Sequence, residues 1–103
     1  MNPKLLSMLG LARRAGKVIT GDEACMKAVR SGKARLIIVA ADASENTRKK
    51  YGDKCAHYNT KLIITGDRMS IGGAIGRSEQ VVIAIEDEGF ASGIRTCMDK
   101  SEV

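Results

Sequence analysis

The chain has 103 residues, 44% of them hydrophobic, which fits one domain spanning residues 1–103 and suffices for a single core without metal or disulfide staples. Two tyrosines, one phenylalanine and no tryptophan leave too few rings for a base-stacking platform of the RRM or cold-shock kind. Residues 1–61 hold thirteen Lys and Arg against five Asp and Glu, net +8, whereas 62–103 hold four against seven, net −3, a skew that suggests a polyanionic partner met mainly by the N-terminal part.

Apolar spacing sets out an alternation of elements. Leu5, Leu6, Leu9 and Ala12 recur at helical spacing, with Pro3 tolerated in the first turn and Gly16 placed to end the helix. Val18-Ile19 reads as a very short strand, and Asp22 to about Arg30 as a second helix ended by Gly32. The continuous run Leu36-Ile37-Ile38-Val39-Ala40 is expected to be a central strand covered on both faces. Ser44 can cap a helix from Glu45 to about Tyr58, after which Leu62-Ile63-Ile64 reads as a strand. Gly66-Asp67 opens a short helix toward Ala74. Val81 to Ile85 forms another buried strand, and Phe90, Ala91, Ile94, Cys97 and Met98 make the apolar stripe of a last helix. Strands separated by helices predict an α/β fold: a three-layer α-β-α sandwich around a mixed, mostly parallel four-stranded sheet.

The most informative stretch is Thr20-Gly21-Asp22-Glu23 read on to Lys27, a strand turning sharply into a helix whose first turn points polar side chains outward. Gly21 permits a positive-φ turn, Asp22 or Thr20 can cap the unpaired amides, and Glu23 and Lys27 emerge four residues apart on one face. Thr20-x-x-Glu23 is also a capping box, which needs no ligand. Ile19-Thr20-Gly21-Asp22 is echoed by Ile64-Thr65-Gly66-Asp67, placing two helix N-termini at one sheet edge, where anions commonly bind.

Other chemistry is sparse. Cys25, Cys55 and Cys97 are widely spaced and read as reduced thiols; with His57 the only histidine, no zinc set and no catalytic constellation forms, so no metal, no cofactor and no enzymatic activity are expected. The Gly72 to Gly76 stretch lacks the Gly-Lys-Ser/Thr of a phosphate loop, and Gly73-Ala74-Ile75-Gly76 matches the Gly-x-x-Gly clamp of a KH domain only in isolation. Glu86-Asp87-Glu88 reads as a helix start. The N-terminus forms neither a convincing signal peptide nor a bilayer span, which points to a cytoplasmic protein with no membrane partner.

Leu11-Ala12-Arg13-Arg14-Ala15-Gly16-Lys17, Gly21 through Lys27-Ala28-Val29, Leu36 to Ala40 with Asp42-Ala43, and Leu62 to Ile85 together resemble the ribosomal protein L7Ae/L30e/Gadd45-like family of kink-turn RNA-binding proteins. Asp42-Ala43-Ser44-Glu45-Asn46-Thr47 and Asp53-Lys54-Cys55 are similar to its bacterial YlxQ-like members. The resemblance implies an α-β-α sandwich and a Gly-x-Asn-Glu-x-x-Lys motif that meets the major-groove edges of tandem sheared G·A pairs. Aligned without a gap, Gly21 and Lys27 match, but Glu23 stands where the family has Asn and Ala24 where it has Glu. An ionised Glu23 accepts from a guanine amino group but does not donate as Asn does. The family's second contact loop corresponds to Gly76-Arg77-Ser78-Glu79-Gln80, here polar, with Arg77 suited to a phosphate or stacking contact. Lys17, Thr20, Arg30 and Lys33 are further candidates for backbone contacts, and Asp22 in the first motif and Ser78 within the second loop complete the set of candidate RNA-binding residues. The expected protein is a monomeric, non-enzymatic binder of a kink-turn in ribosomal or other structured RNA, with the ribosome as a further candidate partner. The alternative is a protein-interaction module associated with ribosomes or stress response, whose basic surface serves only solubility.

Overall fold

A computed structural model describes residues 2–101, and the side chains of residues 2–98. The elements in chain order are α1 (Pro3–Arg14), β1 (Val18–Thr20), α2 (Asp22–Ser31), β2 (Leu36–Ala40), α3 (Glu45–His57), β3 (Lys61–Thr65), α4 (Arg68–Ala74), β4 (Val82–Ile85) and α5 (Glu88–Ser101). Most helices begin where a short polar side chain takes an otherwise unpaired amide. Asn2 accepts from Lys4 N at 2.9 Å, Ser44 from Thr47 N at 3.1 Å, Asp67 from Ser70 N at 2.8 Å and Asp87 from Phe90 N at 2.9 Å. The Glu86-Asp87-Glu88 run therefore does start a helix.

The four strands lie in the order β1-β4-β2-β3. The sheet is mixed, as expected, but its pairings are not mostly parallel: β2 pairs with β3 in parallel, while β4 pairs antiparallel with both β1 and β2. The reason is the insertion of β4. Strands β1, β2 and β3 all point the same way, each feeding a helix, and the opposed β4 slots between β1 and β2, converting both neighbouring ladders to antiparallel.

Alternation along the strands divides the core into two layers. Leu36, Ile38, Ala40, Ile83 and Ile85 face α1, α4 and α5, where Leu5, Leu9, Ala12, Ile71, Ala91 and Ile94 are all without solvent exposure. Ile37, Val39, Val82 and Ala84 face α2 and α3, against Cys25, Ala28, Val29, Tyr51 and Cys55. Each fully buried Leu or Ile contributes about 1.5–3 kcal/mol relative to exposure, so β2, buried at all five positions, is the centre of gravity of the fold.

Candidate nucleic-acid interface

Because β1, β2 and β3 are co-directional, the N-termini of α2, α3 and α4 all emerge at one end of the sheet, and the loop entering β4 arrives there too. Thr20 pairs with Ile83, Ala40 N donates to Val81 O at 2.8 Å, and Ala41 N reaches Thr65 O and Gly66 O at 3.3 and 3.2 Å. Asp42 and Arg68 tie the loops together: Arg68 donates from its backbone N to Asp42 Oδ1 (3.0 Å), from Nε to Oδ2 (3.3 Å) and from Nη2 to the Asp42 carbonyl (2.7 Å), while Gln80 N donates to Arg68 O (3.0 Å).

Gly21 makes the turn into α2 with φ of 92° and ψ of 140° and is itself the N-cap, with no side chain to satisfy the first amides. Capping by Thr20 or Asp22 is thus not what the structure shows. The first helical bond is Cys25 N to Gly21 O at 2.9 Å, leaving the amides of the opening turn directed at the sheet end. The echo at Gly66 also has positive φ, at 61°, but there Asp67 is the N-cap and bonds Ser70, so the two similar tetrapeptides differ in register by one residue.

Asp22 is diverted elsewhere. Its Oδ1 accepts from the Tyr51 hydroxyl at 2.6 Å and its Oδ2 from Lys50 Nζ at 2.7 Å; the same hydroxyl lies 2.9 Å from the Asp22 carbonyl. The hydrogen bond from Lys50, reinforced by that from Tyr51, holds the Asp22 carboxyl below its usual range. Tyr51 is fully buried, and burial, with the Asp22 hydrogen bond, raises its hydroxyl pKa. Burial likewise pushes the Cys25 thiol up to about 12 and Cys55 to about 11, so both are packing groups, with Cys25 Sγ donating to Ile19 O at 3.4 Å. His57 lies exposed at the end of α3, its ring edge-on to Tyr58 at 4.7 Å.

The candidate residues fall into two groups. Thr20, Gly21, Asp22 and Glu23 share the loop end, with exposed Lys27 one turn further along α2, and the loop holding Arg77 and Ser78 runs back along α4 toward that end, where Gln80 N donates to Arg68 O. Lys17, Arg30 and Lys33 lie toward the opposite end: Lys17 O accepts from Glu86 N beyond β4, and Lys33 precedes β2. At ~3.3 Å per strand residue, Lys17 is about 13 Å from Gly21. Lys27 and Lys33 nevertheless share an open cleft of about 240 Å³ between β1 and α2, floored by Ile19, Ala24, Ala28 and Ser31. Ala24, standing where the resemblance leads one to expect Glu, lines this cleft without a charge. Arg77 sits in a loop folded back on α4, its N donating to Gly72 O at 2.8 Å. Sequence reading missed Lys50 and Tyr51, which act on Asp22 across 28 and 29 residues, and the Asp42–Arg68 link; none leaves a local signature. No group of three His, Cys, Asp or Glu among the described residues is arranged to hold a metal.

Residues 3–94 match the profile of the Ribosomal protein L7Ae/L30e/S12e/Gadd45 family. The chain belongs to that family. It is 39% identical over 92 residues to the RNA-binding protein YlxQ of Bacillus subtilis, covering 89% of this chain and 92% of that one. A solved Bacillus halodurans protein of unknown function superimposes with a TM-score of 0.92 at 42% identity, over 95% of this chain and 99% of its own. The fold is also that of a Giardia lamblia 15.5kD RNA binding protein, with a TM-score of 0.78 at 22% identity, over 99% and 91% of the two chains. Among the described residues no helix is long and apolar enough to cross a membrane.

Proposed function

We propose that this member of the L7Ae/L30e/S12e/Gadd45 family is a non-enzymatic RNA-binding protein that docks a kink-turn, in ribosomal or other structured RNA, at the end of the sheet where α2 begins. The observation that carries this reading is the uncapped start of α2 at Gly21, at the end of the sheet where the loop carrying Arg77 and Ser78 leads into β4. Open amides suit phosphate or base-edge acceptors. Glu23 accepts from guanine amino groups and Lys27 donates to base edges, while Arg77 holds adjacent backbone. Lys33, at the far end of the cleft, extends the contact along one RNA arm without reading sequence. With three aromatic residues in the chain, recognition relies on a folded RNA groove and not on stacked single strands. The family membership and the RNA-binding relative support the same reading. The protein acts as a monomer in this proposal.

The test is a titration against a kink-turn RNA and against the same RNA with its G·A pairs replaced by Watson–Crick pairs, at two salt concentrations. Tight binding to the first alone is expected. Equal, salt-sensitive binding to both would reduce the interface to a basic surface, and absence of binding would favour a protein partner. In the same assay Lys27→Ala is expected to weaken binding by about 1–3 kcal/mol, as for loss of a base-edge contact.

A further inference from the structure

The Asp22 carboxylate is a feature of the loop end that works against an anionic ligand. It sits at the first residue of α2, next to the amides that no side chain caps and one residue before Glu23. Left free, an aspartate there would settle on those amides, because the positive end of the helix dipole attracts the nearest carboxylate. It would then occupy the donors needed by RNA and add a negative charge beside the phosphates. In the folded chain it does neither, since both oxygens are held on the α3 side, one by the Tyr51 hydroxyl at 2.6 Å and one by Lys50 Nζ at 2.7 Å. The two restraints differ in kind. Lys50 is a half-exposed cation on a flexible stem, whereas Tyr51 is fully buried, so its hydroxyl is a fixed point. The second contact of that hydroxyl, 2.9 Å from the Asp22 carbonyl, fixes the backbone of the same residue.

We propose that Tyr51, assisted by Lys50, is a positioning residue for RNA binding: it clamps Asp22 away from the open start of α2 and so keeps a built-in competitor off the anion-facing amides. This rests on the RNA-binding reading and adds a determinant to the same site. Tyr51 does not touch RNA. Removal of its hydroxyl would release a tethered carboxylate, which is a larger effect on an anion than the loss of one internal hydrogen bond.

The experiment compares the full-length wild type with Tyr51→Phe, Asp22→Asn and the double variant. Each is titrated against the kink-turn RNA and its Watson–Crick control, and each thermal midpoint is recorded. Tyr51→Phe is expected to bind about fivefold more weakly than wild type, roughly what one like-charge contact through water amounts to. The double variant is expected to bind within about twofold of Asp22→Asn alone, because neutral Asn no longer competes. If Tyr51 were merely part of the core, both variants lacking the hydroxyl would be equally impaired; a double variant no better than Tyr51→Phe, or a Tyr51→Phe that binds like wild type, would overturn the clamp. Failure of the kink-turn reading is seen separately, in the ratio of wild-type affinities for the two RNAs. Failure of the clamp is seen in the ratios between variants on either RNA.

Discussion

At Gly21 and Asp22 two adjacent residues meet opposite demands. Gly21 has φ of 92°, and a Cβ there would meet nothing within 4 Å, so the cost of a side chain is conformational alone. Gly21→Ala is expected to lose about 1–3 kcal/mol of stability, measurable as a lower midpoint in urea. Asp22 supplies a pH dependence of known sign. Its folded pKa is depressed by Lys50 and Tyr51, so its contribution is fully present above the ordinary carboxylate range, near 4, and is lost as pH falls through the folded value. The pair is largely exposed, which limits that contribution to at most about 1 kcal/mol. The thermal midpoint of wild type should therefore exceed that of Asp22→Asn at neutral pH, with the gap closing below about pH 4. The glycine was legible in the sequence because a turn between a strand and a helix demands it. The fate of Asp22 was not: Thr20-x-x-Glu23 and a capping aspartate are local patterns, and the partner that wins lies 29 residues away.

Among the elements, α4 and the loop behind it show how one backbone position shapes the candidate interface. A Cβ on Gly72 would stand 2.6 Å from Glu79 Cα and 2.8 Å from its N, both backbone atoms that cannot rotate aside. Gly72→Ala is expected to push the Gly76–Val81 loop off α4 at a cost of about 1–3 kcal/mol. The local readout is amide hydrogen exchange at Arg77, whose N–H is now held by Gly72 O. Helices and strands themselves were readable, since buried runs such as Leu36 to Ala40 and caps such as Ser44 act within a few residues. The order of strands was not, because periodicity reports which face is buried and says nothing about which strand lies beside which. That is why the antiparallel insertion of β4 escaped a reading based on alternating strands and helices.

Over the whole molecule, cations extend from the loop end, by way of Lys27 and the cleft, to Lys33. If an RNA arm follows that line, Lys33→Ala should reduce the slope of log affinity against log salt by about one unit while leaving the preference for G·A pairs intact. An unchanged slope would confine the contact to the loop end. The position of β4 has a further bearing, on the order of events during synthesis. Among the described residues β1 pairs in the sheet with β4 alone, and the loop carrying Arg77 leads into β4. A nascent chain that has emerged only as far as α4 can pair β2 with β3 and hold Asp22 on Tyr51, but β1 has no strand to pair with until residues 82–85 follow. The β1 side of the sheet is thus closed late, and a chain stalled before that point would carry a partial core whose Gly21 turn is tethered to α3 but not yet backed by the β1–β4 ladder.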